Sequence, residues 1–249
     1  MDVQAYLTRI NYKGSIEPTL DTLKHLQKAH LYAIPFENLD IHYNKEIELN
    51  IDRIYSKIIE HKRGGFCYEL NGLYYELLAQ LGYTVKRISA RVYSKEKAYG
   101  PEFDHLAILV NINGLEYLTD VGFGDFTLAP LKFESGIKQK DKNGIYYIDK
   151  YDDYYRINKQ IDNDMIPQYI FKDKHREFNE FKGMCHFQQH DPSSHFRTKK
   201  MITLLTADGR ITLNNDNLKI TKGDKIENSK IKDENSFDNA LWKYFKVKI

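Results

Sequence analysis

Apolar residues near the amino terminus recur at the spacing of amphipathic α-helices. One predicted helical face comprises Leu20, Leu23, Leu26 and His30. A second predicted face comprises Ile51, Ile54, Tyr55, Ile58 and Ile59. The dipeptide Gly64-Gly65 then breaks the pattern, and residues 68–81 have the pattern of another helix, which ends near Gly82. We therefore predict a helical segment over residues 1–84.

From residue 85 onward, alternating apolar residues replace the helical spacing. The dipeptide Asn113-Gly114 is a strong signal for a two-residue hairpin turn, and it joins strands predicted over residues 106–112 and 115–121. Further strands are predicted over residues 85–93, 146–148 and 154–157. The pattern predicts that residues 85–200 form a mostly antiparallel sheet.

The last part of the chain combines a hairpin with a closing helix. Strands predicted over residues 201–207 and 210–213 flank Asp208-Gly209, and residues 237–245 have helical spacing. Helices followed by a mostly antiparallel sheet predict an α+β protein.

Composition restricts the function more than it defines it. The 249 residues suffice for a sizeable core, and the net charge of +2, with scattered lysines, gives no nucleic-acid footprint. No apolar run approaches the ~18 residues of a membrane span, and the amino terminus does not resemble a secretory signal. With only Cys67 and Cys185 present, we expect free thiols in a cytoplasmic protein that has neither membrane nor nucleic-acid partners.

Cys67 follows a glycine pair at the predicted start of a helix, in the segment Arg63-Gly64-Gly65-Phe66-Cys67. Helix N-termini carry partial positive charge and free N–H groups, which favour a thiolate and can stabilise an oxyanion. A lone cysteine is also commonly a small, inert core residue. Cys67 by itself leaves both interpretations open.

A nucleophilic cysteine needs a base, and the base needs an orienting group. If Asn113-Gly114 forms a two-residue turn, His105 lies opposite Gly122, and Asp120 becomes its diagonal neighbour on the same face of the hairpin. We expect this face to be the more polar one and to line a cleft. The other face is predicted to pack on a core and comprises Leu106, Ile108, Val110, Ile112, Leu115, Tyr117, Thr119 and Val121.

These residues belong to four blocks that resemble motifs of the arylamine N-acetyltransferases. The blocks are Ile34-Pro35-Phe36-Glu37-Asn38-Leu39-Asp40, Arg63 to Cys67 with Glu69-Leu70-Asn71-Gly72, Asp104-His105-Leu106 with Thr119 to Gly124, and Gln188 to Phe196. The second block is long and specific. The resemblance covers residues 34 to about 213, and residues 214–249 carry no matching motif.

The resemblance implies a fold in three domains. They are a helical bundle over residues 1–84, an antiparallel β-barrel over 85–200 and an α/β lid over 201–249, with the triad arranged as in cysteine proteinases. It also implies a buried ion pair between Arg63 and Glu37 that holds the nucleophile loop.

The resemblance further implies a ping-pong acyltransferase with Cys67, His105 and Asp120 as its catalytic triad. An acetyl group would pass from acetyl-CoA, through an acetyl-cysteine, to the nitrogen of an arylamine, arylhydrazine or related acceptor, without a metal. Phe36 and Phe123 would contact the acceptor. No motif indicates which residues bind coenzyme A.

Several other interpretations are open. A zinc site is suggested by Cys185, His186, His190 and His195, but their spacing is loose and we expect no metal there. The neighbouring residues 188–189 and 191–194 are instead predicted as a strand end and a turn. A peptidase or transglutaminase-like enzyme would use the same triad, and an amide synthase would be a variant of the acyltransferase. A noncatalytic binding module is disfavoured because all three chemical roles are filled.

Overall fold

The computed structural model describes all 249 residues of the chain and combines helices with two antiparallel sheets, so the predicted α+β class is confirmed. The α-helices are α1 (Val3–Arg9), α2 (Leu20–Ala33), α3 (Leu39–His42), α4 (Ile51–Tyr55), α5 (Cys67–Gln80), α6 (Lys182–His190), α7 (His195–Thr198) and α8 (Glu234–Phe245). A π-helical turn spans Ser56–Glu60, and a 3₁₀ turn spans Phe178–Phe181. None of the helices has both the length and the apolar character needed to cross a membrane.

The strands belong to a nine-stranded sheet in the middle of the chain and a five-stranded sheet near its end. They are β1 (Phe36–Glu37), β2 (Thr84–Ser94), β3 (Ala98–Tyr99), β4 (His105–Ile112), β5 (Leu115–Thr119), β6 (Leu131–Lys132), β7 (Lys138–Asp141), β8 (Gly144–Tyr151), β9 (Tyr154–Ile161), β10 (Asp164–Phe171), β11 (Met201–Thr206), β12 (Gly209–Asn214), β13 (Asn217–Lys222) and β14 (Lys225–Lys230).

The nine-stranded sheet curls into a nearly closed barrel. Its strands follow the order β6-β5-β4-β2-β10-β9-β8-β7, and β3 pairs with β2 outside this path. The side-chain amide of Gln139 in β7 accepts from the N–H of Lys132 in β6 and donates to its carbonyl oxygen, both at 2.8 Å. One amide therefore links the two edge strands where backbone pairing stops.

Strand β4 separates two hydrophobic cores because its side chains alternate between two faces. Ile108 and Val110 pack in the larger core with helix α5, as the apolar hairpin face predicts. The face that we predict to be polar instead carries Ala107 and Leu109 into the barrel interior. That prediction is wrong for most of the strand, because the barrel closes over this face. The end at His105 reaches a cavity.

The five-stranded sheet joins the two ends of the chain. Its order is β1-β11-β12-β13-β14, so the strand β1 from the helical segment pairs with the carboxy-terminal part. Helix α8 packs Phe237, Leu241 and Phe245 against this sheet in a third core. The division into domains at residues 84 and 200 stays a prediction.

The hairpin turn predicted at Asn113-Gly114 is present, whereas the turn predicted at Asp208-Gly209 lies one residue earlier, at Ala207-Asp208, because Gly209 pairs with Thr206. The segment before residue 200 also differs from the prediction. Helices α6 and α7 occupy it, so the strand end predicted at Gln188-Gln189 is wrong. The buried side chains of α6, Cys185, Gln188 and Gln189, recur at helical spacing. Two of these buried residues are glutamines, and their side-chain amides form hydrogen bonds inside the protein. A search for apolar residues at helical spacing therefore does not detect this helix.

Candidate active site

Cys67 is the first residue of helix α5 and is buried, which confirms the predicted helix start. The loop before it passes very close to strand β1. A Cβ atom on Gly64 would lie 2.1 Å from the carbonyl oxygen of Pro35, so only glycine fits there. The Glu37 N–H donates to the carbonyl oxygen of Gly65 at 2.9 Å. The glycine pair thus fixes the loop against β1 and sets where the helix begins.

Arg63 anchors the same loop through buried carboxylates. Its Nε donates to Glu37 Oε1 at 2.9 Å, and its Nη2 donates to Asp40 Oδ1 at 2.8 Å. The predicted ion pair between Arg63 and Glu37 is therefore present. Burial acts to lower the pKa of Arg63, but the two carboxylates outweigh it and raise that pKa.

Lys57 connects the carboxylates that bind Arg63 to Phe66, the residue before Cys67. The π-helical turn presents its ammonium to Asp40 at 2.7 Å and to Glu69 Oε1 at 2.8 Å. Glu69 Oε2 in turn accepts from the Phe66 N–H at 3.1 Å. The ammonium therefore holds the carboxylate that orients the peptide group adjacent to Cys67.

We expect Lys57→Met to lower the free energy of unfolding by about 3 kcal/mol at pH 8, because it leaves Glu69 charged and buried without its cation. Burial raises the pKa of Glu69, and Lys57 lowers it. Without Lys57, Glu69 should take up a proton as the pH falls, so the loss in free energy of unfolding should be smaller at pH 5 than at pH 8. Urea unfolding at pH 8 and pH 5 measures both effects. Lys24→Met, which removes an exposed pair with Asp21, is the control and should change little. Equal losses in the two variants would contradict the expectation.

His105 begins β4, and Asp120 directly follows β5. The hairpin pairs Ile108 with Thr119, which is the register predicted from the two-residue turn. Nε2 of His105 lies 2.7 Å from Oδ2 of Asp120, and both side chains are buried. Because a carboxylate only accepts, Nε2 carries the proton of the neutral ring, and Nδ1 is left as an acceptor.

Asp120 accepts hydrogen bonds from three donors besides His105. Asn71 Nδ2 and the Gly122 N–H reach Oδ1 at 2.8 and 2.9 Å, and the Tyr169 hydroxyl reaches Oδ2 at 3.3 Å. These donors fix the direction of the carboxylate. No sequence pattern pointed to Tyr169, because it comes from the distant strand β10 and belongs to no motif.

The hairpin and helix α5 lie in direct contact at the nucleophile. A Cβ atom on Gly122 would lie 2.8 Å from Cys67 Cα, so glycine permits this approach. Asn71 donates to the Leu106 carbonyl oxygen at 2.7 Å and accepts from the Val121 N–H at 2.9 Å. One asparagine of α5 therefore holds both the strand that begins at His105 and the segment after β5 that contains Asp120.

The pKa of Cys67 is shifted in the direction opposite to that predicted from the helix start. Burial raises it, and repulsion by the Asp104 and Asp120 carboxylates adds to the increase, while the Leu106 backbone lowers it. Loss of solvation outweighs the partial charge of the helix N-terminus. A thiolate at Cys67 therefore needs a cation formed beside it.

A cavity of about 850 Å³ opens over both Cys67 and His105. Four phenylalanines line it: Phe36, Phe123, Phe187 and Phe196. The first and second are the two residues predicted to contact an acceptor. Phe187 and Phe196 come from α6 and α7, which lie in the range predicted to form a sheet. The cavity can therefore hold a flat aromatic molecule next to the thiol.

The residues considered for zinc do not form one site. Cys185 is buried beside Gln189 and the Ile47 carbonyl oxygen, and burial raises its pKa to about 12. The rings of His186 and His190 lie tilted against each other on α6 with centroids 4.3 Å apart, whereas His195 lines the cavity. No group of three or more His, Cys, Asp or Glu side chains is placed to hold a metal ion.

Comparison with known proteins agrees with this geometry. A family model described as N-acetyltransferase matches residues 19–249. The arylamine N-acetyltransferase of Mycolicibacterium smegmatis is 33% identical over 233 residues, which cover 91% of this chain and 85% of that protein. The Mycobacterium marinum arylamine N-acetyltransferase in complex with CoA superposes with a TM-score of 0.91 at 33% identity, covering 99% of this chain and 93% of that one.

A Bacillus cereus arylamine N-acetyltransferase, whose crystal structure is described as revealing a unique Cys-His-Glu catalytic triad, superposes over 100% of both chains with a TM-score of 0.92 and 26% identity. Fold and sequence together define an acyltransferase. The chain belongs to the arylamine N-acetyltransferase family.

Proposed function

We propose that the protein transfers an acetyl group from acetyl-CoA to the nitrogen of an arylamine, arylhydrazine or related acceptor, in a ping-pong reaction with Cys67 as the carrier. The observation that carries the proposal is the 2.7 Å contact between His105 Nε2 and Asp120 Oδ2 beside the cavity that contains Cys67. The CoA complex of the Mycobacterium marinum relative supports coenzyme A as the partner of this cavity. None of the steps requires a metal.

In the first half-reaction His105 takes the thiol proton of Cys67. The imidazolium that forms is stabilised by Asp120, and it provides the cation that a buried thiolate needs. The thiolate attacks the carbonyl carbon of the thioester, and the oxyanion that develops is favoured by the N-terminus of α5. The bond to the sulfur of coenzyme A breaks, and that sulfur leaves with the proton from His105. Cys67 is left as an acetyl thioester.

In the second half-reaction the acceptor nitrogen attacks the acetyl-cysteine. Phe36 and Phe123 hold the aromatic ring of the acceptor against the cavity wall. The carbon–sulfur bond breaks, the nitrogen gives its proton to His105, and His105 passes that proton to the sulfur of Cys67, which restores the thiol. A reduced Cys67 is needed throughout, which fits the cytoplasmic location predicted from the sequence.

Intact-mass analysis of the protein after mixing with acetyl-CoA, without an acceptor, tests the proposal. We expect one acetyl group on Cys67 and its discharge when an arylamine is added. Cys185→Ala is the matched control and should acquire the same adduct, because Cys185 is buried with a pKa of about 12. The absence of an adduct on the wild type, or an equal adduct on Cys67→Ala, would overturn the mechanism.

A further inference from the structure

The cavity over Cys67 contains one carboxylate that lies away from its exposed rim. Three side chains with permanent charge at neutral pH line the cavity: Glu96, Lys97 and Asp104. Glu96 and Lys97 stand on the exposed turn between β2 and β3, where water and salt screen their charges. Asp104 is partly buried and immediately precedes His105, so its charge acts inside the cavity.

Hydrogen bonds, not a cation, hold Asp104 in place. Gln188 Nε2 donates to Asp104 Oδ1 at 2.8 Å, and the Ser194 hydroxyl donates to Gln188 Oε1 at 2.7 Å. Burial raises the pKa of Asp104, while His105, the Val92 backbone and Gln188 act to lower it. No lysine or arginine forms a salt bridge with the carboxylate, so no permanently charged cation is paired with it.

Asp104 also contributes to the raised pKa of Cys67. After burial, its repulsion makes the largest contribution to the raised pKa of Cys67, ahead of that of Asp120. The Tyr68 hydroxyl of helix α5 donates to the Phe103 carbonyl oxygen at 2.8 Å, which ties the segment before His105 to the helix of the nucleophile. The carboxylate is therefore fixed relative to the acetyl group that Cys67 would carry.

We propose that Asp104 is a specificity-determining residue, which makes neutral and cationic arylamines the preferred acceptors and selects against arylamines that carry a carboxylate. The proposal rests on the acetyl transfer proposed above. An anionic substituent that enters the cavity meets one charge of its own sign that is not paired with a lysine or arginine. Repulsion between like charges is strong in a partly desolvated site, where the effective dielectric constant is about 20.

The chemistry of the second half-reaction gives this charge a further role. As the amine nitrogen forms its bond to the acetyl carbon, the nitrogen becomes positively charged until it releases a proton to His105. A fixed carboxylate near Cys67 stabilises that positive charge in the transition state. Asp104 therefore favours attack by the amine as well as rejecting an anion.

Three acceptors of similar shape and different charge test the proposal: 4-aminobenzoate, 4-aminobenzamide and 4-aminophenyltrimethylammonium. Wild-type protein is first acetylated with acetyl-CoA, and kcat/KM for discharge is then measured at pH 8 and low salt. We expect 4-aminobenzamide to be favoured over 4-aminobenzoate by about tenfold, which corresponds to about 1.4 kcal/mol. The trimethylammonium compound should react at least as well as the amide. Equal values for the anion and the amide would overturn the proposal.

Asp104→Asn removes the charge but keeps an oxygen that can accept from Gln188. We expect the preference for the amide over the carboxylate to fall by about tenfold relative to the wild type. The intrinsic reactivities of the two amines cancel in this comparison. Glu96→Gln removes one negative charge from the exposed turn and should change the preference by less than about twofold. An unchanged preference in Asp104→Asn, or an equal change in Glu96→Gln, would contradict the assignment.

The wild-type comparison remains decisive even if Asp104→Asn does not fold. Failure of the wild type to acquire an acetyl group from acetyl-CoA would instead refute the proposed function. An acetylated Cys67 that discharges to all three acceptors with equal kcat/KM would refute only the role of Asp104. The two failures are therefore distinguishable in one series of measurements.

Discussion

His105→Ala should slow both the acetylation of Cys67 by acetyl-CoA and its alkylation by iodoacetamide by about 10³-fold at pH 7. Burial and the Asp104 and Asp120 carboxylates raise the pKa of Cys67, so the thiol does not ionise there without a proton acceptor. In the proposed mechanism His105 takes the proton and becomes the neighbouring cation. Stopped-flow mixing with acetyl-CoA and mass analysis of the alkylated protein measure the two rates.

The pH dependence separates loss of the base from a general loss of structure. In His105→Ala the pKa of Cys67 stays above its ordinary value, so alkylation should become faster as pH rises through 9. The wild-type rate should depend less steeply on pH over the same range, because His105 accepts the thiol proton as the sulfur reacts. Cys185, with a pKa of about 12, should stay unmodified in both proteins. Alkylation of the variant at the wild-type rate at pH 7 would show that His105 is not the base.

The contact between His105 and Asp120 was predictable because a two-residue turn leaves one register for its hairpin. Once Asn113-Gly114 is placed in that turn, the period-two alternation of a strand decides which side chains share a face. The helix start at Cys67 was also predictable from local sequence. A glycine pair lies just before Cys67, and apolar residues at helical spacing begin just after it. Local patterns thus predicted most of the reacting geometry.

Features that depend on distant parts of the chain were not predictable in this way. The bond from Gln188 to Asp104 joins residues 84 positions apart, and helix α6 carries glutamines on its buried face where an apolar pattern would be expected. The barrel closure that buries Ala107 and Leu109 depends on pairing among strands far along the chain. The shift in the pKa of Cys67 has the same origin, because desolvation depends on everything packed around the thiol.

Asp120→Asn should lower kcat/KM for acetyl transfer by about 10³-fold or more while the protein stays folded. The carboxylate accepts from His105, Asn71, Gly122 and Tyr169, and an asparagine can offer only one oxygen to these four donors. Its amide nitrogen would face at least one of them, which misdirects the imidazole and removes the charge that stabilises the imidazolium. Steady-state kinetics with acetyl-CoA and an arylamine measure the loss.

Asp120→Glu is the matched control for this prediction, because it keeps the negative charge and both oxygens. The Bacillus cereus relative, with its described Cys-His-Glu triad, indicates that a glutamate can serve in this fold. Asp120 is about 1% exposed, so the additional methylene must be accommodated in a packed site, and a partial loss of about tenfold is expected. Asp120→Glu should therefore retain far more activity than Asp120→Asn. If Asp120→Asn kept wild-type kcat/KM, or lost no more than Asp120→Glu, the charge on Asp120 would have no part in activating His105.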